Sequence, residues 1–228
     1  MLKRSFVSLA AASVVIGSAA GMTLSGCADN EGSFFVLNAI AGTSDEGGCL
    51  FDPGAPILFG GSYEVLGGAE YSVGLVARSA LVPTENPTAP RVEANHVEIY
   101  AVEVEVVGKG ILNSPDCPAS FTYPSKGFVE PGQDGVTQTL VIPGCMRSQI
   151  NAAMAIGETQ TVIATFVVRG HTTGGNELES PEYDFPIRVS RGALCGGELE
   201  DGAVAACGFG VNSVVPTAIC EANAAPAP

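Results

Sequence analysis

The chain has 228 residues, with 10 lysines and arginines against 24 aspartates and glutamates, a formal net charge of −14, and no tryptophan. That acidic balance disfavours nucleic acid and bare anionic membrane as partners. Its charges stand in ones and twos along the sequence, as on a solvated surface, rather than in a tail.

The chain opens MLKRSFVSLAAASVVIGSAAGMTLSGC, with Lys3 and Arg4 ahead of an apolar stretch from Phe6 to Ala20 and small residues after it. This is the order of a secretory signal peptide over residues 1–26. The apolar part is shorter than the roughly 20 residues that span a bilayer, so a retained transmembrane helix is the weaker reading. Leu24, Ser25, Gly26 and Cys27 resemble the lipobox of bacterial lipoproteins. That resemblance implies that the Cys27 thiol receives a diacylglyceryl group and becomes the first mature residue. The alternative is an ordinary export signal followed by a chance cysteine. A thiol suits the chemistry because its thiolate is nucleophilic near neutral pH, and two or more acyl chains hold a domain stably on a bilayer without spanning it. Ala28, where an aspartate would favour inner-membrane retention, implies the outer membrane by the same resemblance.

With the leader gone, eight of the ten basic residues remain against 24 acidic ones, a net charge of −16. A mature chain of this length buries about 70% of its unfolded surface, enough for a real core. Besides Cys27, six cysteines remain: Cys49, Cys117, Cys145, Cys195, Cys207 and Cys220. In an oxidising envelope they suit three disulfides, and six cysteines allow 15 pairings among which sequence does not choose. None stands at the close CxxC spacing of a zinc site, and no metal or other cofactor is expected.

Residues 27–33 read as a polar tether. Phe34 to Ile40 is a short apolar run of the kind found in buried strands. In EYSVGLVARS, Tyr71, Val73, Leu75 and Ala77 fall on one face of a strand. RVEANHVEIYAVEVEVVG carries Val97, Ile99 and Ala101 on one parity and Val102, Val104 and Val106 on the other. The phase change near Ala101 predicts a bulge, or a strand passing from one sheet to another. CMRSQINAAMAIG places Met146, Ile150 and Met154 at helical spacing, which predicts one short helix. TVIATFVVRG turns Val162, Ala164, Phe166 and Val168 to one side, and EYDFPIRVS does the same with Tyr183, Phe185, Ile187 and Val189. A hairpin turning at Gly174 and Gly175 joins these two. Pro186 lacks a backbone donor, which predicts that the last strand lies at an edge.

The expected fold is therefore mainly β: an antiparallel β-sandwich over residues 34–192 with one short helix. Residues 193–220 form a disulfide-stapled, Cys-rich cap, and 221–228 a disordered tail. GGCLFDP, RVEANHVEIYAVEVEV, FTYPSKGFVEPG and ELESPEYDFPIRVSRG together resemble uncharacterised lipobox-bearing envelope lipoproteins of Gram-negative soil bacteria, myxobacteria-like, over most of the mature chain. The resemblance implies an Ig-like or fibronectin-like module and no activity. A departure from that group is Ser190 directly after Val189, where its members carry further cysteines.

Catalytic signatures are weak. GGSYE at 60–64 fails the GxSxG nucleophile pattern at its last position. His96 and His171, the only imidazoles, lack a nucleophile to activate and read as surface residues. Carboxylates pair at Glu93 with Glu98, Glu103 with Glu105, Glu177 with Glu179 and Glu182 with Asp184. That spacing follows from strand alternation, and no DxDxDG loop marks a calcium site. GKG at 108–110 and GFG at 208–210 lack phosphate-loop spacing and read as turns.

The expectation is a non-catalytic lipoprotein, anchored to the membrane through Cys27, that binds or organises an envelope protein or polymer and no nucleic acid. The alternatives are an envelope glycan or peptide hydrolase using loop carboxylates, and a structural subunit that adds an edge strand to a neighbour.

Overall fold

The computed structural model describes residues 32–45, 48–83, 93–108, 110, 112, 116–196, 207, 211–213 and 215–224. The presumed leader, the lipobox Leu24, Ser25 and Gly26, Cys27 itself, most of the tether and residues 225–228 lie outside them. In chain order the strands are β1 (Phe34–Ile40), β2 (Thr43–Asp45), β3 (Gly48–Leu50), β4 (Ile57–Leu58), β5 (Gly61–Glu64), β6 (Tyr71–Ser79), β7 (Val97–Val107), β8 (Ser120–Val129), β9 (Asp134–Ile142), β10 (Thr159–Thr172), β11 (Glu177–Glu179) and β12 (Tyr183–Ser190). Helix α1 (Gly144–Ala153) lies between β9 and β10, α2 (Thr217–Ala224) follows β12, and a 3₁₀ turn covers Val65–Gly67.

The protein is mainly β, with two sheets and a small hairpin of β2 and β3. One sheet has the order β4-β1-β6-β9, antiparallel throughout. The larger runs β5-β12-β10-β7-β8, with β11 added to β10. Alternation sets the core-facing side of the strands, and in β6 Gly74 and Val76 on the opposite side are covered as well. Tyr71, Val73, Leu75 and Ala77 of β6 are buried, as are Val162, Ala164, Phe166 and Val168 of β10. Both sets belong to one hydrophobic cluster, with Phe34 of β1 and Phe185, Ile187 and Val189 of β12. The Val, Leu, Ile and Phe side chains among them each contribute about 1.5–3 kcal/mol on leaving water. The Tyr63 and Tyr71 rings meet edge to face at 5.6 Å, closing the core between β5 and β6.

The phase change in β7 is a bulge within one sheet. Ile99 pairs with Gly170 and Ala101 with Arg169, so Tyr100 is an extra residue opposite β10. Beyond it the parity flips, and both Ala101 and Val102 are buried. The β10–β11 hairpin turns at the expected glycines: Gly175 has φ 89°, and its N–H donates to the Thr172 carbonyl at 2.8 Å.

The connection from β8 to β9 joins the sheets, since the two strands belong to different ones. Along this corner the buried Ser125 hydroxyl lies 2.6 Å from Thr137 Oγ1, and Thr137 also donates to the Lys126 carbonyl at 3.1 Å. Gly135 is required here, because a Cβ would strike the Phe128 carbonyl.

Three expectations need correction. Strand β12 is not an edge strand, because β5 pairs with it in parallel from Ile187↔Gly61 to Ser190↔Glu64. Pro186 stands one residue before that pairing starts, so its missing donor interrupts no ladder on that side. Among the described residues there are two α-helices rather than one. Helix α2 also reaches Ala224, so residues 221–224 are helical where a disordered tail was expected. Its buried Cys220 is held by a disulfide, which supplies the docking that the apolar-poor segment lacks.

Candidate functional site

Six sulfurs are consumed in pairs: Cys49 with Cys207, Cys117 with Cys145, and Cys195 with Cys220. This picks one of the 15 pairings the sequence left open. Cys117–Cys145 ties the approach to β8 to the first turn of α1. Cys195–Cys220 clamps α2 to the end of β12. Cys49–Cys207 joins β3 to the cap across 158 residues of sequence. A bridge closing so long a loop removes several kcal/mol of unfolded-state entropy in the chain-entropy model.

Beneath the cap lies the best-formed polar centre of the fold. Glu64 ends β5 and has no exposed surface. Its carboxylate accepts from the Ser190 hydroxyl at 2.9 Å and from the backbone N–H groups of Gly192 at 2.7 Å, Leu194 at 3.1 Å and Leu66 at 3.2 Å. These donors compensate for the water lost on burying a carboxylate. Glu64 thus fastens the exit of β12 to the 3₁₀ turn and sets the course of the chain into the cap. It is also the residue at which GGSYE departs from GxSxG, so what breaks the catalytic pattern is a structural latch.

A cavity of about 170 Å³ opens beside this latch, lined by Val65, Arg147, Ser148, Asn151 and Asn223. Arg147 donates to the Gly68 carbonyl at 2.5 Å and Asn223 to the Leu66 carbonyl at 2.8 Å, so both satisfy the end of the 3₁₀ turn. Asn151 accepts from Arg191 Nε at 2.8 Å, and Arg191 also donates to the Met154 carbonyl that closes α1. A cation there complements the negative end of the helix dipole. The cavity's polar groups are a guanidinium, a hydroxyl and two carboxamides.

The histidines and carboxylate pairs singled out in the sequence lie elsewhere, most of them on the outer face of the larger sheet. His171 Nε2 stands 3.4 Å from Glu98, and its ring lies 5.9 Å from that of Tyr100. His96 meets Phe128 edge to face at 4.8 Å. Arg169 bridges Glu103 at 2.8 Å and Glu179 at 2.9 Å. Glu177 accepts from the Tyr100 hydroxyl, and Asp184 from Thr165. Partial loss of water, then the Glu177 carboxylate, raises the Tyr100 phenol above its ordinary range. Glu93 sits off the strand, accepting from the Asn95 N–H. Glu93, Glu98, Glu103, Glu177, Glu179 and Asp184 are each engaged with a neighbour across strands or within a turn, Glu103 and Glu179 sharing Arg169. Among the described residues, no three His, Cys, Asp or Glu side chains gather as a metal site.

Sequence reasoning missed Glu64, Arg147, Asn151 and Asn223. Glu64 meets Ser190, Gly192 and Leu194 across 126 to 130 residues, and no local pattern announces such contacts. Among the described residues, no helix is long and apolar enough to cross a membrane. No protein-family model matches the chain, and no curated protein matches it.

Proposed function

We propose that this protein is an exported lipoprotein, anchored in the outer membrane through Cys27, whose folded part is a non-catalytic binding or structural module of the cell envelope. Its two sheets, sharing one core, are read as the layers of an Ig-like or fibronectin-like β-sandwich. The observation that carries the proposal is cysteine arithmetic. Six of the seven cysteines are committed to three disulfides, so the sulfur left over in the count is the one inside the Leu24–Cys27 pattern. Three disulfides also suit an oxidising compartment and are rare in a reducing cytosol. The non-catalytic reading is supported by Glu103, Glu179, Glu177 and Asp184, whose carboxylates are taken by Arg169, Tyr100 and Thr165 of other strands.

The test is intact-mass and peptide mass spectrometry of protein from the native host. The expected result is a mature chain that begins at Cys27 and carries acyl groups. An unacylated start, or another first residue, overturns the anchor.

A further inference from the structure

A row of exposed apolar side chains crosses one end of the larger sheet's outer face. Val107 of β7 is 58% exposed and pairs with Ile163 of β10, itself 38% exposed. Ile163 in turn pairs with the exposed Pro186 of β12. Gly60 lies against Pro186, with the site of its absent Cβ 3.4 Å from Pro186 Cγ, and the adjoining Phe59 is 91% exposed. Solvent-exposed apolar residues are ordinary when scattered; Val107, Ile163 and Pro186 in one row across the sheet, with the exposed Phe59 next to its end, mark an interaction surface. The row is about 10 Å long at the usual strand spacing.

Its flanks differ in charge. Two residues further along the strands, Asp184, Thr165 and Glu105 form the next outward row, with a carboxylate at either side. The opposite flank holds Thr161 and Arg188. Arg169, the nearby guanidinium on the carboxylate side, is taken by Glu103 and Glu179.

The row also lies far from the chain's entry. Phe34 pairs with Ser79, the Ser79 N–H donates to the Gln133 carbonyl, and the turn holding Gln133 follows Val129, which pairs with Val97. Entry is therefore at the Val97 end of β7, while the row sits at the Val107 end, about 33 Å away.

We infer that this row is a docking strip for a peptide segment of an envelope partner that presents apolar side chains with lysine or arginine along one flank. The inference rests on the proposed function and names its partner chemistry. Apolar groups of the segment cover Val107, Ile163, Pro186 and Phe59, and its cations face Glu105 and Asp184. A segment with acidic flanks is repelled by those carboxylates and by the chain's net charge of −14.

The experiment uses the oxidised full chain and three synthetic peptides: alternating leucine and lysine, alternating serine and lysine, and alternating leucine and glutamate. Binding of the leucine–lysine peptide is expected, weakened at least about tenfold by Val107→Ser with Ile163→Ser. Asp184→Asn with Glu105→Gln is expected to weaken it and flatten its salt dependence. Unchanged circular dichroism and no free thiols beyond the wild-type number establish that the variants fold. Four results overturn the strip: no binding of the leucine–lysine peptide, equal binding by wild type and variants, serine–lysine binding as tight, or leucine–glutamate binding as tight. Self-association lost on Ile163→Ser replaces the partner segment with a second copy of this chain. An unacylated amino terminus with variant-sensitive peptide binding removes the anchor and keeps the strip; an acylated one with insensitive binding does the reverse.

Discussion

Around Glu64 and around Arg169 the molecule builds two charge-centred clusters, one a carboxylate held by a hydroxyl and backbone N–H groups and the other a guanidinium between two carboxylates. Glu64 has no exposed surface and four donors from three segments. Arg169 has two carboxylate partners, but its side chain is 34% exposed, and those of Glu103 and Glu179 are 42% and 54% exposed. Water solvates the second cluster whether or not its bonds form, whereas the first has nothing to replace a lost partner. Depth, and not the number of bonds, separates a latch from surface decoration.

Substituting the two centres breaks or sharpens that contrast. Glu64→Ala is expected to destabilise by at least about 3 kcal/mol, since it strands the buried Leu66 N–H and Ser190 hydroxyl and the part-buried N–H groups of Gly192 and Leu194. Urea unfolding measures it, and a loss below about 1 kcal/mol shows that water enters the site. Alkali is next in size. Burial raises the phenols of Tyr63 and Tyr71, beside the latch, well above the ordinary value of 10.0. The folded protein then keeps protons that the unfolded chain gives up. Stability is undiminished below about pH 10 and falls as pH rises further. An unfolding midpoint unchanged from pH 9 to pH 11, on the order of the window in which unfolded tyrosine ionises, contradicts this. Arg169→Ala has the smallest effect, within about 1 kcal/mol. A larger loss makes the outer cluster structural and erases the contrast.

How legible these regions were follows from the range of their contacts. Period-two alternation exposed β6, β10 and β12, and the parity flip in Val97–Val107 marked an irregularity near Ala101, read as a bulge or a strand crossing and found as the bulge at Tyr100, because each depends on neighbours along one strand. The spacing of Met146, Ile150 and Met154 disclosed α1 for the same reason. Pro186 misled because its missing donor needs a gap opposite only one residue, and β5 begins pairing at the next. The Glu64 latch and the cysteine partners were hidden, since chain spacing does not say which distant segments meet. Helix α2 was hidden too, as its order depends on a crosslink whose partner the sequence does not name. The readings on residues 24–27 concern chemistry at the chain's start and are decided at that terminus, not by the fold.

The Cys49–Cys207 bridge has a consequence for biogenesis. A chain threaded outward from its amino terminus delivers Cys49 first and Cys207 second to last among the six that pair. Oxidation in order of arrival would join Cys49 to Cys117, which is a non-native bond. On the proposed export, maturation then requires either that Cys49 stay reduced until translocation is nearly finished or that an early crosslink be exchanged, which makes access to a thiol–disulfide isomerase a condition of yield.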